Sequence, residues 1–279
     1  MEHPECQFFS GRLEEETVTI GSEMHFFDKY PFDDQQIKRN TDGSFPTEVI
    51  PEVLKRYEWH WNMSTPEHKV VFDKSPEYML LPQAAHGIKS IVPFANLIMV
   101  LRDPVERAYS HYKMAKKILG TNTSFTEAVE ADIKLLTKAG VIGAVGKNDR
   151  DKAWAKYIEN EDLWSGTFKA IVGRGLYSLQ LRVLWKLYND EERKELFLIM
   201  KTNDLVPDAS GKINLRPVTD FLGLSEANVY QHGFRAPSPY PIDNATKTML
   251  YDLYEPFNRE LKEYLGQEWE NPWAWAASP

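Results

Sequence analysis

Apolar positions along this chain follow two rhythms. Short unbroken runs at residues 70–72, Leu97–Leu101 and 196–200 read as buried strands, and 17–20 as a further short strand. Between them the apolar residues recur at helical spacing. After Pro104 the repeating set is Val105, Ala108, Tyr109, Tyr112, Ala115 and Leu119; near the end it is Leu250, Leu253, Phe257, Leu261 and Leu265. Helices are also predicted over 51–61, with Tyr57 and Trp61 toward the core, and over 79–90. A further helix opens at Gly173-Arg174-Gly175 and carries Leu176, Leu179, Val183, Leu184 and Leu187, and another runs over 215–222. Polar signals punctuate the pattern. Asp103-Pro104 supplies an N-cap and a first-turn proline, Ser124 to Glu127 forms a capping box, Gly223 closes a helix and Asp243 opens the last one. Strands alternating with helices predict an α/β fold with a parallel sheet.

The strand-to-helix switch at 97–117 carries the first chemistry. Arg102 stands at the carboxyl end of a strand, where open parallel sheets place their ligands, and Arg107 and Ser110 lie three apart on the helix that follows. Two guanidinium groups and a hydroxyl near a helix N-terminus suit a phosphate. The competing reading is a salt-bridge cluster that only tidies the helix start. Lys74 also sits at a strand's carboxyl end, and Glu23 and His25 fall on one side of an extended segment. Stretch 147–168, highly charged with two tryptophans, reads as an insertion over the site. Trp269, Trp273 and Trp275 are expected to pack back onto the domain.

Composition narrows the classes. With 279 residues and 42% hydrophobic content the chain can bury a substantial core. A net charge of −8 argues against a generally basic nucleic-acid binder, although Lys113, Lys116 and Lys117 could hold an anion locally. The single cysteine, Cys6, excludes an internal disulfide, and no Cys/His spacing fits zinc, so no metal is expected. No run is long enough to span a membrane. Sequons at Asn62, Asn122 and Asn244 would fit a lumenal glycoprotein.

Taken together, Arg102-Asp103-Pro104-x-x-Arg107-Ala108-Tyr109-Ser110 resembles the 3'-phosphate-binding motif of the sulfotransferases that use 3'-phosphoadenosine 5'-phosphosulfate (PAPS). Glu23-Met24-His25-Phe26-Phe27-Asp28 and Asp73-Lys74-Ser75-Pro76-x-Tyr78 are similar to paired segments of the carbohydrate branch, the heparan sulfate 3-O- and N-sulfotransferase type. Gly175-Leu176-Tyr177, Phe221 to Leu224, Tyr240-Pro241-x-Asp243 and Phe257-Asn258-Arg259 extend the resemblance over roughly residues 23–266. It implies a P-loop-like three-layer α/β/α fold with a central parallel sheet, one sulfotransferase domain over 1–279, PAPS as co-substrate and a carbohydrate hydroxyl or amine as acceptor. Glu23 would be the base, His25 its partner, and Lys74 the cation at the transferring sulfuryl group. Arg102 and Ser110 would hold the 3'-phosphate, with Tyr177 near the nucleotide and Arg235 reaching a phosphate from a late loop.

The resemblance also implies a Lys-x-Gly-Thr-Thr/Ser loop for the 5'-phosphosulfate, and no such sequence precedes Glu23. His3-Pro4 resembles the His-Pro that closes the family's first helix. The chain is therefore expected to be N-terminally truncated, lacking its first strand, with residues 1–16 a remnant of the first helix and its loop. An upstream anchor would put it in the Golgi lumen; without one it would be cytoplasmic. The alternative is a non-catalytic relative that binds nucleotide or glycan but has lost the donor loop. The acceptor's identity and the oligomeric state are not legible.

Overall fold

The computed structural model describes residues 6–9, 26–28, 39–59, 70–143, 147–165, 168–225, 229–230, 241–269 and 272–273. In chain order the elements are β1 (Cys6–Phe9), α1 (Ile50–Trp59), β2 (Val70–Asp73), α2 (Glu77–Leu80), α3 (Pro82–Ile91), β3 (Leu97–Leu101) and α4 (Pro104–Leu119). They continue with α5 (Phe125–Ala139), α6 (Lys147–Ile158), α7 (Glu161–Ser165), α8 (Tyr177–Leu187), α9 (Asp190–Leu196), β4 (Phe197–Lys201), β5 (Lys212–Ile213), α10 (Arg216–Leu222), β6 (Val229–Tyr230) and α11 (Asn244–Leu265). Strands and helices alternate as an α/β chain should. β1 and β2 run parallel, with Phe9 opposite Asp73, so both carboxyl ends lie together. β3 pairs with β4, and β5 with β6.

The described residues fall into two compact units. Residues 1–100 and 186–234 form one, and 101–185 with 235–279 the other. The core of the first contains Phe26, Phe27, Val53, Leu80, Ala84 and Ile88. Here the Tyr57 ring packs on Phe26 and Phe27 at centroid distances of 4.8 and 5.0 Å. The core of the second is built from the predicted face of α4, from Val129 and Leu136 of α5, and from Leu250, Tyr254, Phe257 and Leu261 of α11.

Most helix boundaries follow the caps. The Ser124 capping box opens α5, Asp243 accepts from the Thr246 N–H at the head of α11, and Gly223 closes α10 with φ of 64°. Differences have local causes. The helix expected over 79–90 is two helices, because Leu81 precedes Pro82 and is held extended (φ −97°, ψ 113°). β1 arises where no strand is expected, since a four-residue run is too short to show a period. Leu119, expected in the core, is 56% exposed in the last turn of α4. Stretch 147–168, expected as an insertion, instead forms α6 and α7 and buries Trp154, Tyr157, Ile158 and Leu163 in the second unit. Trp269 is buried, as expected, and the Trp273 ring lies 5.9 Å from that of Tyr177. Residues 17–20, Trp61 and Trp275 lie outside the described residues.

Candidate functional site

The switch from β3 into α4 places the phosphate candidates. Asp103 caps the helix, its Oδ1 accepting from the N–H groups of Val105 at 2.8 Å and Glu106 at 3.0 Å, and Pro104 takes the first position. The carboxylate thus occupies the amides that would otherwise have received an anion, which corrects the helix-terminus part of the phosphate argument. An anion at this corner would have to be held by side chains. Arg102, two residues ahead of α4, and Glu106 and Ser110 within it follow at intervals of four. The Arg102 guanidinium lies 3.3 Å from the Glu106 carboxylate, a long and part-exposed pair, and Ser110 stands one turn further on, half-buried.

Arg107 turns away from this line. Its Nη2 donates to the Ile171 carbonyl, and its buried Nε has no hydrogen-bond partner among the described residues. The partner of Glu106 is therefore Arg102, and Arg107 serves the interior of the unit.

Tyr177 reaches the same corner from α8. Its hydroxyl donates to the Arg102 carbonyl at 2.9 Å, and the Arg102 N–H faces the same hydroxyl at 3.4 Å. Burial pushes the phenol's pKa up, so it stays a neutral donor. Gly175 allows this approach: a Cβ there would come 2.8 Å from the Pro104 Cβ and from the Tyr254 hydroxyl. The ring thus buttresses the backbone of the residue expected to hold phosphate.

The first unit holds the other candidates. Lys74 follows β2, is exposed, and makes no ion pair with a described residue. Its neighbour Asp73 accepts from the hydroxyls of Ser75 (3.0 Å) and Tyr78. The Tyr78 hydroxyl also accepts from the Phe27 N–H at 3.2 Å, which ties the segment 26–28 to the β2 end. Burial and the adjacent Asp73 push the Tyr78 pKa far up.

Arg39, which no sequence signal singled out, holds the same segment from the other side. Its Nη2 donates to the Phe27 carbonyl at 2.8 Å, while Nη1 donates to the carbonyls of Gln83 at 2.9 Å and Gly43 at 3.2 Å. The guanidinium also lies 4.6 Å from the centroid of the Phe45 ring. Burial pulls its pKa down to about 10, against the raising effect of Asp28. Glu23, His25 and Arg235 lie outside the described residues. The structure thus brings Tyr177 onto the backbone of Arg102, keeps Ser110 further along α4, and ties the β2 end that carries Lys74 to segment 26–28 through Tyr78.

Among the described residues no three or more His, Cys, Asp or Glu side chains are arranged to hold a metal ion, and no helix is long and apolar enough to cross a membrane. No protein-family model matches the chain. It is 24% identical over 282 residues to heparan sulfate glucosamine 3-O-sulfotransferase 6 of Homo sapiens, covering 92% of this chain and 67% of that protein. Over 193 residues it is 26% identical to carbohydrate sulfotransferase 15 of Homo sapiens (65% of this chain, 32% of that protein). A bifunctional heparan sulfate N-deacetylase/N-sulfotransferase 1 of Caenorhabditis briggsae matches at 26% over 144 residues, 51% of this chain and 16% of that protein. The chain thus spans between a sixth and two thirds of the length of these relatives. A solved structure of a sulfotransferase from Alicyclobacillus acidocaldarius superposes with a TM-score of 0.57 and 18% identity, covering 95% of this chain and 87% of that one.

Proposed function

We propose that this chain, which has the sulfotransferase fold and resembles the carbohydrate sulfotransferases in sequence, transfers a sulfuryl group from PAPS to a hydroxyl or amine of a carbohydrate, with residues 1–279 acting as a single sulfotransferase domain. The observation that carries this reading is the line Arg102, Glu106, Ser110 behind the carboxyl end of β3. It offers a guanidinium and a hydroxyl to an anion at a helix start whose own amides are already taken by Asp103. That arrangement suits a phosphate monoester on a sugar ring better than a phosphate chain cradled by backbone amides.

PAPS supplies the sulfuryl group, and adenosine 3',5'-bisphosphate is the product that leaves. Glu23 takes the proton from the acceptor as the new bond to sulfur forms, and His25 orients the acceptor. Lys74, exposed and without an ion-pair partner among the described residues, faces the negative charge that develops as the bond from sulfur to the 5'-phosphate oxygen breaks. Arg102 and Ser110 hold the 3'-phosphate, Tyr177 fixes the Arg102 backbone, and Arg235 adds a cation from the late loop. On this reading an anchor upstream of Met1 would place the protein in the Golgi lumen.

The test is transfer of radiolabelled sulfate from PAPS by the full chain to a panel of neutral and uronate-containing glycans. Labelled glycan with wild type and none with Glu23→Gln supports the reading. Binding of adenosine 3',5'-bisphosphate without transfer to any acceptor would favour a non-catalytic relative, and absence of both would overturn the assignment.

A further inference from the structure

A buried carboxylate that the proposed chemistry does not use lies behind the phosphate corner. Asp132 of α5 is 4% exposed. Its Oδ2 accepts from the N–H groups of Val172 at 2.6 Å and Gly173 at 3.1 Å, and its Oδ1 accepts from the Tyr157 hydroxyl at 2.7 Å. Other side chains bond carbonyls of the same loop. Arg107 donates to the Ile171 carbonyl, Tyr254 to the Val172 carbonyl at 2.9 Å, and Gln180 to the carbonyls of Gly173 at 3.3 Å and Arg174 at 3.1 Å.

Residues 170–172 are wholly buried; Asp132 supplies the acceptor for the N–H groups of Val172 and Gly173, while the Val172 and Gly173 carbonyls also take the N–H groups of Gly175 at 2.9 Å and Leu176 at 3.0 Å. The packing leaves no slack: a Cβ at Gly173 would stand 2.3 Å from the Tyr157 hydroxyl. Two residues on, Gly175 lies against Pro104, and Tyr177 then bonds the Arg102 carbonyl. A rigid chain of contacts therefore runs from Asp132 through 172–175 to the backbone of Arg102.

We infer that Asp132 is a positioning residue for the 3'-phosphate subsite: by fixing the N–H groups of Val172 and Gly173 it sets where Tyr177 holds Arg102. This rests on the reading of Arg102 as the phosphate ligand. A merely structural carboxylate would, on removal, loosen the whole unit and weaken every nucleotide alike. A positioning carboxylate acts on the 3'-phosphate alone.

The experiment is calorimetric titration of the full chain with adenosine 3',5'-bisphosphate and with adenosine 5'-monophosphate, which differ only at the 3' position. In Asp132→Ala the ratio of the two affinities should fall by about tenfold while the monophosphate's affinity stays unchanged. Asp132→Asn keeps an oxygen for both amides and should restore the ratio. A folded Asp132→Ala with the wild-type ratio, or one that weakens both nucleotides equally, overturns the inference. If Asp132→Ala does not fold, Tyr177→Phe carries the test: it retains the ring and removes only the hydroxyl. A reduced ratio supports the proposed chain of contacts, and an unchanged one overturns it. Equal affinity of the wild type for both nucleotides would overturn the phosphate reading itself, which separates the two failures.

Discussion

The corner at Arg102 and the segment Phe26–Asp28 are held in opposite ways. At Arg102 the backbone is fixed by acceptors and hydroxyls close in sequence or in adjoining helices: Asp103 on the amides of α4, Tyr177 on the carbonyl, and Gly175 allowing the approach. At Phe27 a single cation from a turn twelve residues away gathers three carbonyls, and one phenol takes the amide. The first construction spreads its load over many small groups. The second concentrates it in Arg39, so under the proposed function one substitution there should reach the part assigned to the acceptor and spare the corner assigned to the nucleotide.

Substitutions at four positions would sharpen or break that contrast. Lys74→Ala should have the largest effect, lowering kcat by roughly 10²- to 10³-fold in the sulfate-transfer assay with bisphosphate affinity unchanged, since its charge matters in the transition state. A parallel loss of binding would move Lys74 to the nucleotide site. Arg39→Leu should follow, destabilising the protein by about 2–4 kcal/mol in urea unfolding because three carbonyls lose their donor. Arg39→Lys should recover only part of this, as an ammonium lacks the planar fork. Wild-type stability in Arg39→Leu would remove the contrast. Next, Arg102→Ala should weaken adenosine 3',5'-bisphosphate by about 10- to 100-fold without altering the melting temperature, since its ion pair with Glu106 is part-exposed. Smallest of all, Glu106→Gln should tighten the bisphosphate by about twofold at low ionic strength and not at high, by removing a carboxylate that competes for the Arg102 guanidinium. Weaker binding instead would mean that Glu106 orients Arg102.

These two constructions also account for what could be read from the chain. The α4 corner follows local rules, and Asp103-Pro104, the apolar face through Tyr112 and the placement of Arg102 and Ser110 were all legible. So was the Ser124 box. The Asp103 cap and an ion pair in this cluster were legible too; what was not followed through is that the cap leaves no helix amide for a phosphate, and that Glu106 takes Arg102, four residues away, as its partner. Arg39 left no trace, because a guanidinium bonding distant carbonyls has no period and no motif. Asp132 was equally silent, being one acid within an amphipathic helix whose burial depends on Tyr157 in α6. The charged stretch around α6 concealed a core helix for the same reason.

The most direct test of the account is calorimetric titration of the full chain with adenosine 3',5'-bisphosphate against ADP. The account predicts that the bisphosphate binds more tightly, and that Arg102→Ala and Ser110→Ala each reduce that preference. Tighter binding of ADP, or an unchanged preference in both variants, would contradict it and leave the corner at Arg102 as a salt-bridged helix start.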